Sequence, residues 1–190
     1  MNYSKETLDY PTPSLDHFKR ADYKHFYEPA EDSFLFLDGL VKDRQLLQEI
    51  NPKVILEIGY VLFFEVRWCF ITKIKFRPGS GVVIVFVARL LAKLCPQQSR
   101  LFYACDINEH AIGATRQTVA NNGGFALGHF ELVRADRATP LMSRLQGSVD
   151  VALCNPPYVP TEEDDAPNHG AEWTRAQQGR DLWAAWSGGR

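Results

Sequence analysis

Several short apolar runs each end in a carboxylate, and these side chains could together hold a hydroxyl-rich ligand. Glu57 and Gly59 close KVILEIG, Asp106 closes RLFYACD, and Asp136 closes FELVRAD. A carboxylate accepts strong, charge-assisted hydrogen bonds from a ribose diol, and a glycine lets the backbone approach a ligand closely. Taken singly, Asp106 or Asp136 could equally well cap the helix that follows it.

A fourth apolar run, VDVALC, leads into Asn155, Pro156, Pro157 and Tyr158. Asparagine offers both a donor and an acceptor, so it can hold a planar amide or amino group by its edges. The two prolines stiffen the loop and cannot donate backbone hydrogen bonds, and the tyrosine adds a flat stacking surface. An ordinary turn is the alternative. The position after a fourth apolar run favours substrate binding.

The elements that would position these residues alternate between strand-like and helix-like patterns. Helical patterns occupy residues 31–50, where Phe34, Leu37, Val41 and Leu47 can share a face, and NEHAIGATRQTVANN. GVVIVFVARLLAKL is long enough for a buried helix, although its β-branched start is ambiguous. Such alternation predicts a three-layer α/β fold with a parallel sheet, in which the loops after the strands meet at one edge.

Composition narrows the function classes. The chain has 190 residues, 45% hydrophobic content and a net charge of −2, which predict a soluble globular protein without the basic excess of nucleic-acid binders. No signal peptide is visible, and the apolar stretch near residue 70 is too short and too charged to span a membrane. The histidines lack ligand spacing, so we expect no metal site. Four widely spaced cysteines indicate reduced thiols in a cytosolic or nuclear setting: Cys69, Cys95, Cys105 and Cys154.

Three motifs carry a resemblance to a known family. NPPY is similar to the signature of S-adenosylmethionine-dependent methyltransferases that act on planar nitrogen. FYEPAEDSFLFLDGL (26–40), NPPYVPT and AAWSGGR (184–190) resemble the eukaryotic and archaeal HemK-like family. That family methylates the glutamine of a Gly-Gly-Gln tripeptide in class I translation release factors. The resemblance implies a Rossmann-like methyltransferase sheet, S-adenosylmethionine as cofactor and a role in translation termination.

The resemblance also implies a role for each matching residue. Asp106 would bind the ribose hydroxyls of the cofactor, and Asp136 and Arg137 would flank its adenine, although the family usually has an apolar residue at the position of Arg137. Asn155 and the backbone of Pro156 would hold the glutamine amide. The remaining cofactor-binding residues would form the glycine loop and the methionine end of the site: Ser33, Glu57, Gly59, Gly79 and Gly81. A small zinc-binding activator subunit would pair with the protein near the third strand.

The expected glycine loop is interrupted. Without residues 60–77 the chain would read ILEIGPGSGVV, a complete loop of the family type. We hypothesise that these eighteen residues are translated intron, since their codons can supply splice sites at both ends; a true insertion is the alternative. The family also continues beyond AWSGGR, so we expect a truncated C-terminus and a sheet that is incomplete there. We therefore divide the chain into a flexible lead-in, 1–25, and a partial methyltransferase domain, 26–190, and expect impaired activity from the chain as written.

Two other functions remain open at this point. NPPY also serves adenine-N6 methylation of DNA or RNA, although the charge balance and the lack of a target-recognition domain weigh against it. A non-catalytic isoform that only binds partners is the other alternative.

Overall fold

A computed structural model describes residues 10–59, 79–135 and 139–154. In these ranges five α-helices surround one four-stranded sheet. In chain order the elements are α1 (Glu31–Lys42), α2 (Arg44–Ile50), β1 (Val54–Ile58), α3 (Val82–Leu94), β2 (Leu101–Asp106), α4 (Glu109–Asn121), β3 (His129–Arg134), α5 (Thr139–Leu145) and β4 (Val151–Cys154), with short 3₁₀ helices at Asp22–Lys24 and Gly124–Ala126.

The strands run parallel in the order β3-β2-β1-β4. Strand β1 lies between β2 and β4, and Ile58 pairs with both Cys105 and Cys154 near the carboxyl ends. Because all three described pairings are parallel, the loops after the strands leave from one edge. The predicted α/β, Rossmann-like class is confirmed.

Both faces of the sheet are covered by helices. Ile55 and Phe102 point to the face that carries α1 to α3, where the largest core cluster lies. On the opposite face, Leu56 and Cys105 pack with Leu141 of α5. This alternation places Glu57 and Asp106 on the same face as α3, because successive strand side chains point to opposite sides.

The ambiguous run after the glycine loop forms helix α3. Its β-branched residues have a modest strand preference, but they are almost all buried among α1, α2 and the sheet, and such burial overrides intrinsic propensity. The helical pattern over 31–50 is divided in two at Asp43. Phe34, expected on the core face, is only partly buried, whereas Leu37, Val41 and Leu47 lie in the core.

The described part of the predicted lead-in is attached to the body of the protein. Ser14 and Asn122 exchange two hydrogen bonds of 2.8 Å each, from the Ser14 N–H to the side-chain oxygen and from the side-chain NH₂ to the Ser14 carbonyl. Phe26 is buried and contacts Phe18 and Tyr23 edge-on. Residues 1–9 lie outside the described ranges, and the division of the chain at residue 25 stays a prediction.

Two properties of the described ranges bear on the setting of the protein. Cys95, Cys105 and Cys154 are all free thiols there. No helix in those ranges is long and apolar enough to cross a membrane.

Candidate functional site

The two halves of the interrupted loop meet in the structure. The Glu57 carboxyl group, near the carboxyl end of β1, accepts a hydrogen bond from the backbone N–H of Ile84, in the first turn of α3. The first N–H groups of a helix have no partner within the helix, so a carboxyl oxygen there supplies a missing acceptor. The strand-loop-helix arrangement is thus kept although twenty-two residues separate Gly59 from Val82.

Glu57 is an unusual acid because it is buried and only partly satisfied. It is 4% exposed, and its Oε2 atom has no hydrogen-bond partner among the described residues. Burial raises the pKa of Glu57 from 4.5 to about 8, and the nearby charge of Asp106 adds to the increase, while the Ile84 N–H opposes it. A buried polar atom without a partner is rare in native proteins and is a candidate ligand contact.

The glycines of the loop are required by neighbouring protein atoms. A Cβ on Gly79 would lie 2.8 Å from the Tyr27 backbone nitrogen. Gly81 has φ +75°, and a Cβ there would lie 2.7 Å from the Thr115 Cα. The sequence interpretation assigned these glycines to close approach of a ligand. In the structure the N-terminal segment (residues 10–30, before α1) packs against Gly79, and α4 packs against Gly81. The protein's own packing is therefore sufficient to require glycine at both positions.

Asp106 stands beside Glu57 at the end of the neighbouring strand. It is half-buried, and its Oδ1 accepts a 2.8 Å hydrogen bond from the Asn108 N–H. Asn108, not Asp106, is the N-cap of α4, because its Oδ1 accepts from the His110 N–H. The helix-capping interpretation of Asp106 is therefore wrong in detail: this aspartate makes the turn that precedes the cap.

The N-terminal segment closes the other side of the site. Ser33 is 3% exposed in the first turn of α1. Tyr27, against Gly79, donates a 2.8 Å hydrogen bond from its hydroxyl group to Asp32. Sequence reasoning did not single out Tyr27, although it lies within the FYEP motif. It also missed Thr115 in α4. The sequence signal would have been its spacing of three residues from Thr118, which places the two threonines, both buried in the structure, on one face of the helix.

The structure therefore brings Ser33, Glu57, the Gly79–Gly81 loop and Asp106 to one edge, the carboxyl edge of the sheet. Gly59 lies there too, with its N–H donating to the Cys105 carbonyl at 2.8 Å. The roles of the other predicted site residues stay predictions, since these residues lie outside the described ranges: Asp136, Arg137, Asn155, Pro156, Pro157 and Tyr158.

Other parts of the described structure offer less chemistry. No cluster of three or more possible metal ligands occurs among the described residues. A cleft of about 730 Å³ opens at the opposite edge, beside the amino ends of β1, β2 and β3. Its buried Arg100 already donates to Pro52, Cys95, Gln98 and Asn51, so no guanidinium N–H group there needs a ligand to explain it.

Comparison with known proteins gives a consistent set of relatives. No protein-family profile matches the chain. It is 33% identical over 181 residues to methyltransferase HEMK2 of Mus musculus, and the match covers 95% of the chain and 65% of that protein. It is 29% identical to the eRF1 methyltransferase catalytic subunit mtq2 of Schizosaccharomyces pombe, over 94% of the chain and 66% of that protein. A putative protein N5-glutamine methyltransferase of Methanocaldococcus jannaschii is 30% identical over 80% of the chain and 56% of its own length.

The chain thus spans less than two thirds of the length of these curated relatives. Their similarity extends over most of the chain and agrees with the parallel sheet and with the motifs described above. Over most of its length the chain is similar to methyltransferases of the HemK-like family.

Proposed function

We propose that this protein is part of an S-adenosylmethionine-dependent methyltransferase that acts on the glutamine side-chain amide of the Gly-Gly-Gln motif in a class I translation release factor. The observation that carries the proposal is the carboxyl edge, where a buried carboxyl group with an unpaired oxygen, a second carboxylate and a tightly packed glycine loop converge. The relatives named as eRF1 and protein-glutamine methyltransferases give this edge its proposed chemistry.

The residues at the edge fit the cofactor. Asp106 would accept hydrogen bonds from the ribose hydroxyls, the use that best suits a half-buried carboxylate at the end of β2. The unpaired Oε2 of Glu57 and the buried Ser33 are polar groups available to the methionine part. When bound, S-adenosylmethionine would supply an electrophilic methyl group and a neutral thioether leaving group, and the methylated amide nitrogen would release one N–H proton to solvent.

The chain's own contribution to the reaction would be orientation. Asn155 would hold the glutamine amide by donating to its oxygen and accepting from its nitrogen, and the Pro156 carbonyl would accept a second N–H. Tyr158 would stack on the flat amide, and Pro157 would stiffen the loop. Holding the amide nitrogen in line with the methyl group lowers the entropic part of the barrier, and no covalent enzyme intermediate is required.

Residues 60–77 would interfere with this site. They enter directly after Gly59, and their aromatic residues include Phe63, Phe64 and Trp68. We propose that this segment is translated intron and that its removal improves cofactor binding. Sequencing of the gene and its transcripts tests the intron origin, which coding sequence without splice sites at 60–77 would exclude.

We also propose a protein partner and a cellular location. The fission yeast relative is named as a catalytic subunit, which supports a heterodimer with a small zinc-binding activator. Strand β3 is the outer strand of the described sheet, and the nearby Phe125 is 62% exposed, so this region offers apolar surface to such a partner. A cytosolic site of action, with the nucleus as a second location, suits the free thiols of the described ranges.

The test is a substrate panel with labelled S-adenosylmethionine. The protein, its variant without residues 60–77 and the Asp106→Ala form of that variant are incubated with a release-factor domain or with adenine-containing oligonucleotides. We expect label only in the release factor, more from the shortened variant than from the intact chain, and little from Asp106→Ala. Label in the oligonucleotides alone would favour adenine methylation, and absence of cofactor binding by both forms would favour a non-catalytic binding protein.

A further inference from the structure

A chain of hydrogen bonds connects the N-terminal segment, helix α4 and the glycine loop. Thr118 of α4 is fully buried, and its hydroxyl group donates to the Ser80 carbonyl at 2.5 Å. His17 Nε2 lies 3.3 Å from the same Thr118 oxygen. None of the three residues was singled out by the sequence motifs, and Ser80 lies between the two glycines of the loop.

The chemistry of the hydroxyl group fixes the direction of these bonds. A carbonyl oxygen can only accept, so the single hydroxyl hydrogen of Thr118 must point to Ser80. The threonine oxygen can then only accept from His17, which must carry a hydrogen on Nε2. Burial lowers the pKa of His17, with a smaller opposing effect of Asp16, which favours a neutral ring with this one N–H.

The Ser80 peptide is consequently held in one orientation. A trans peptide is planar, so with the Ser80 carbonyl directed at α4 the Gly81 N–H points away from α4. Contacts of the neighbouring residues also limit rotation of this peptide. Gly81 lies against Thr115, and the Val82 N–H donates a 3.3 Å hydrogen bond to Ser80 Oγ. The backbone N–H groups of the loop are therefore held in a fixed direction before a ligand binds.

We propose that Thr118 and His17 are positioning residues that preorganise the Gly79–Gly81 loop, so that the N-terminal segment is a structural part of the cofactor site. The consequence for cofactor affinity rests on the proposed function. The ordering of the loop does not rest on the proposed function, because these hydrogen bonds form within the protein without a ligand. Preorganised donors need no rearrangement upon binding, which is the source of the gain in affinity.

Three variants separate positioning from stability. Thr118→Val keeps the shape of the side chain but removes both hydrogen bonds, and Thr118→Ser keeps the hydroxyl group. Val119→Ala is the matched control: Val119 is fully buried on the same helix and lies against Gly124, and its side chain can form no hydrogen bond to the loop. All three are compared with the wild type by thermal unfolding, by amide hydrogen exchange at Val82–Ile84, by imidazole nitrogen NMR and by calorimetry with S-adenosylmethionine.

We expect exchange at Val82–Ile84 to be about tenfold faster in Thr118→Val, nearly normal in Thr118→Ser and unchanged in Val119→Ala despite its lower melting temperature. The His17 resonances should show a protonated Nε2 in the wild type and move in Thr118→Val. Cofactor affinity should fall about tenfold in Thr118→Val alone. Normal loop exchange in Thr118→Val, or equal acceleration in Val119→Ala, would overturn the proposal. If neither the wild type nor its form without residues 60–77 binds S-adenosylmethionine, the proposed function is refuted, while the exchange and NMR results still decide the role of Thr118.

Discussion

The carboxyl group of Glu57 should make the stability of the protein depend on pH. Its pKa is about 8 in the folded protein, against an ordinary value of 4.5, chiefly because the group is buried. Between these two values the folded state binds more protons than the unfolded state, so stability falls as pH rises. Stability from this group is fully present below about pH 4.5 and is lost as pH passes through about 8.

The size of the effect follows from the two pKa values. Each pKa unit corresponds to about 1.4 kcal/mol, so an increase from 4.5 to about 8 corresponds to a loss of up to about 5 kcal/mol across this range. That is a large share of the stability of an ordinary domain. Glu57→Gln removes the titration but keeps an oxygen that can accept from the Ile84 N–H.

Urea unfolding of wild type and Glu57→Gln at several pH values between 5 and 8 measures this effect. We expect the advantage of the variant to grow by about 1 kcal/mol per pH unit toward pH 8. Glu49→Gln, on the exposed surface of α2, is the control and should show no comparable growth. An advantage of Glu57→Gln that stays constant with pH would refute the reasoning.

Four further predictions concern the loop and the site. Asp106→Ala should weaken S-adenosylmethionine binding by about 1.5–3 kcal/mol in calorimetry. An unchanged affinity would mean that Asp106 only stabilises the turn before α4. Gly81→Ala should lower the free energy of unfolding by about 2 kcal/mol or more, because φ is +75° and Thr115 leaves no room. Its control Gly113→Ala, in open space within α4, should stabilise the protein by about 0.5–1 kcal/mol. Deletion of residues 60–77 should strengthen cofactor binding, and equal affinity with and without the segment would show that it does not obstruct the site. Asn155→Ala in the shortened protein should reduce methylation by about a hundredfold, or about 2.7 kcal/mol, at nearly unchanged cofactor affinity; loss of affinity in step with activity would make Asn155 structural.

The strands and the longer helices follow from local patterns in the sequence. Strands β1 and β2 are apolar runs that end in Gly59 and Asp106, and α4 begins after a capping asparagine, so each carries its own signal. Alternation of strand and helix patterns was sufficient to predict a parallel sheet. Helix α5 was not predicted, because seven residues that begin with Thr-Pro are too short to show a helical period.

The environment of the candidate site depends on contacts between distant parts of the chain. Motifs identified Glu57, Gly81 and Asp106, but the physical reason for glycine at position 81 lies in Thr115 of α4. The hydrogen bond from Ile84 to Glu57 across the interrupted loop and the one from Thr118 to Ser80 likewise join residues that no local pattern connects. Sequence reasoning can therefore name candidate site residues, while the groups that hold them in place emerge only from the packing.

The most direct test of the proposed function is to locate the methyl group that the proposed reaction would transfer. The protein without residues 60–77 is incubated with S-adenosylmethionine, the activator and a release-factor domain, and the products are analysed by tandem mass spectrometry. A matched domain with the Gly-Gly-Gln glutamine replaced by alanine serves as the control. We predict one methyl group on the side-chain amide of that glutamine and none in the control. A methyl group on any other residue, equal labelling of the control domain, or no methylation by a folded protein that binds the cofactor would contradict the assignment.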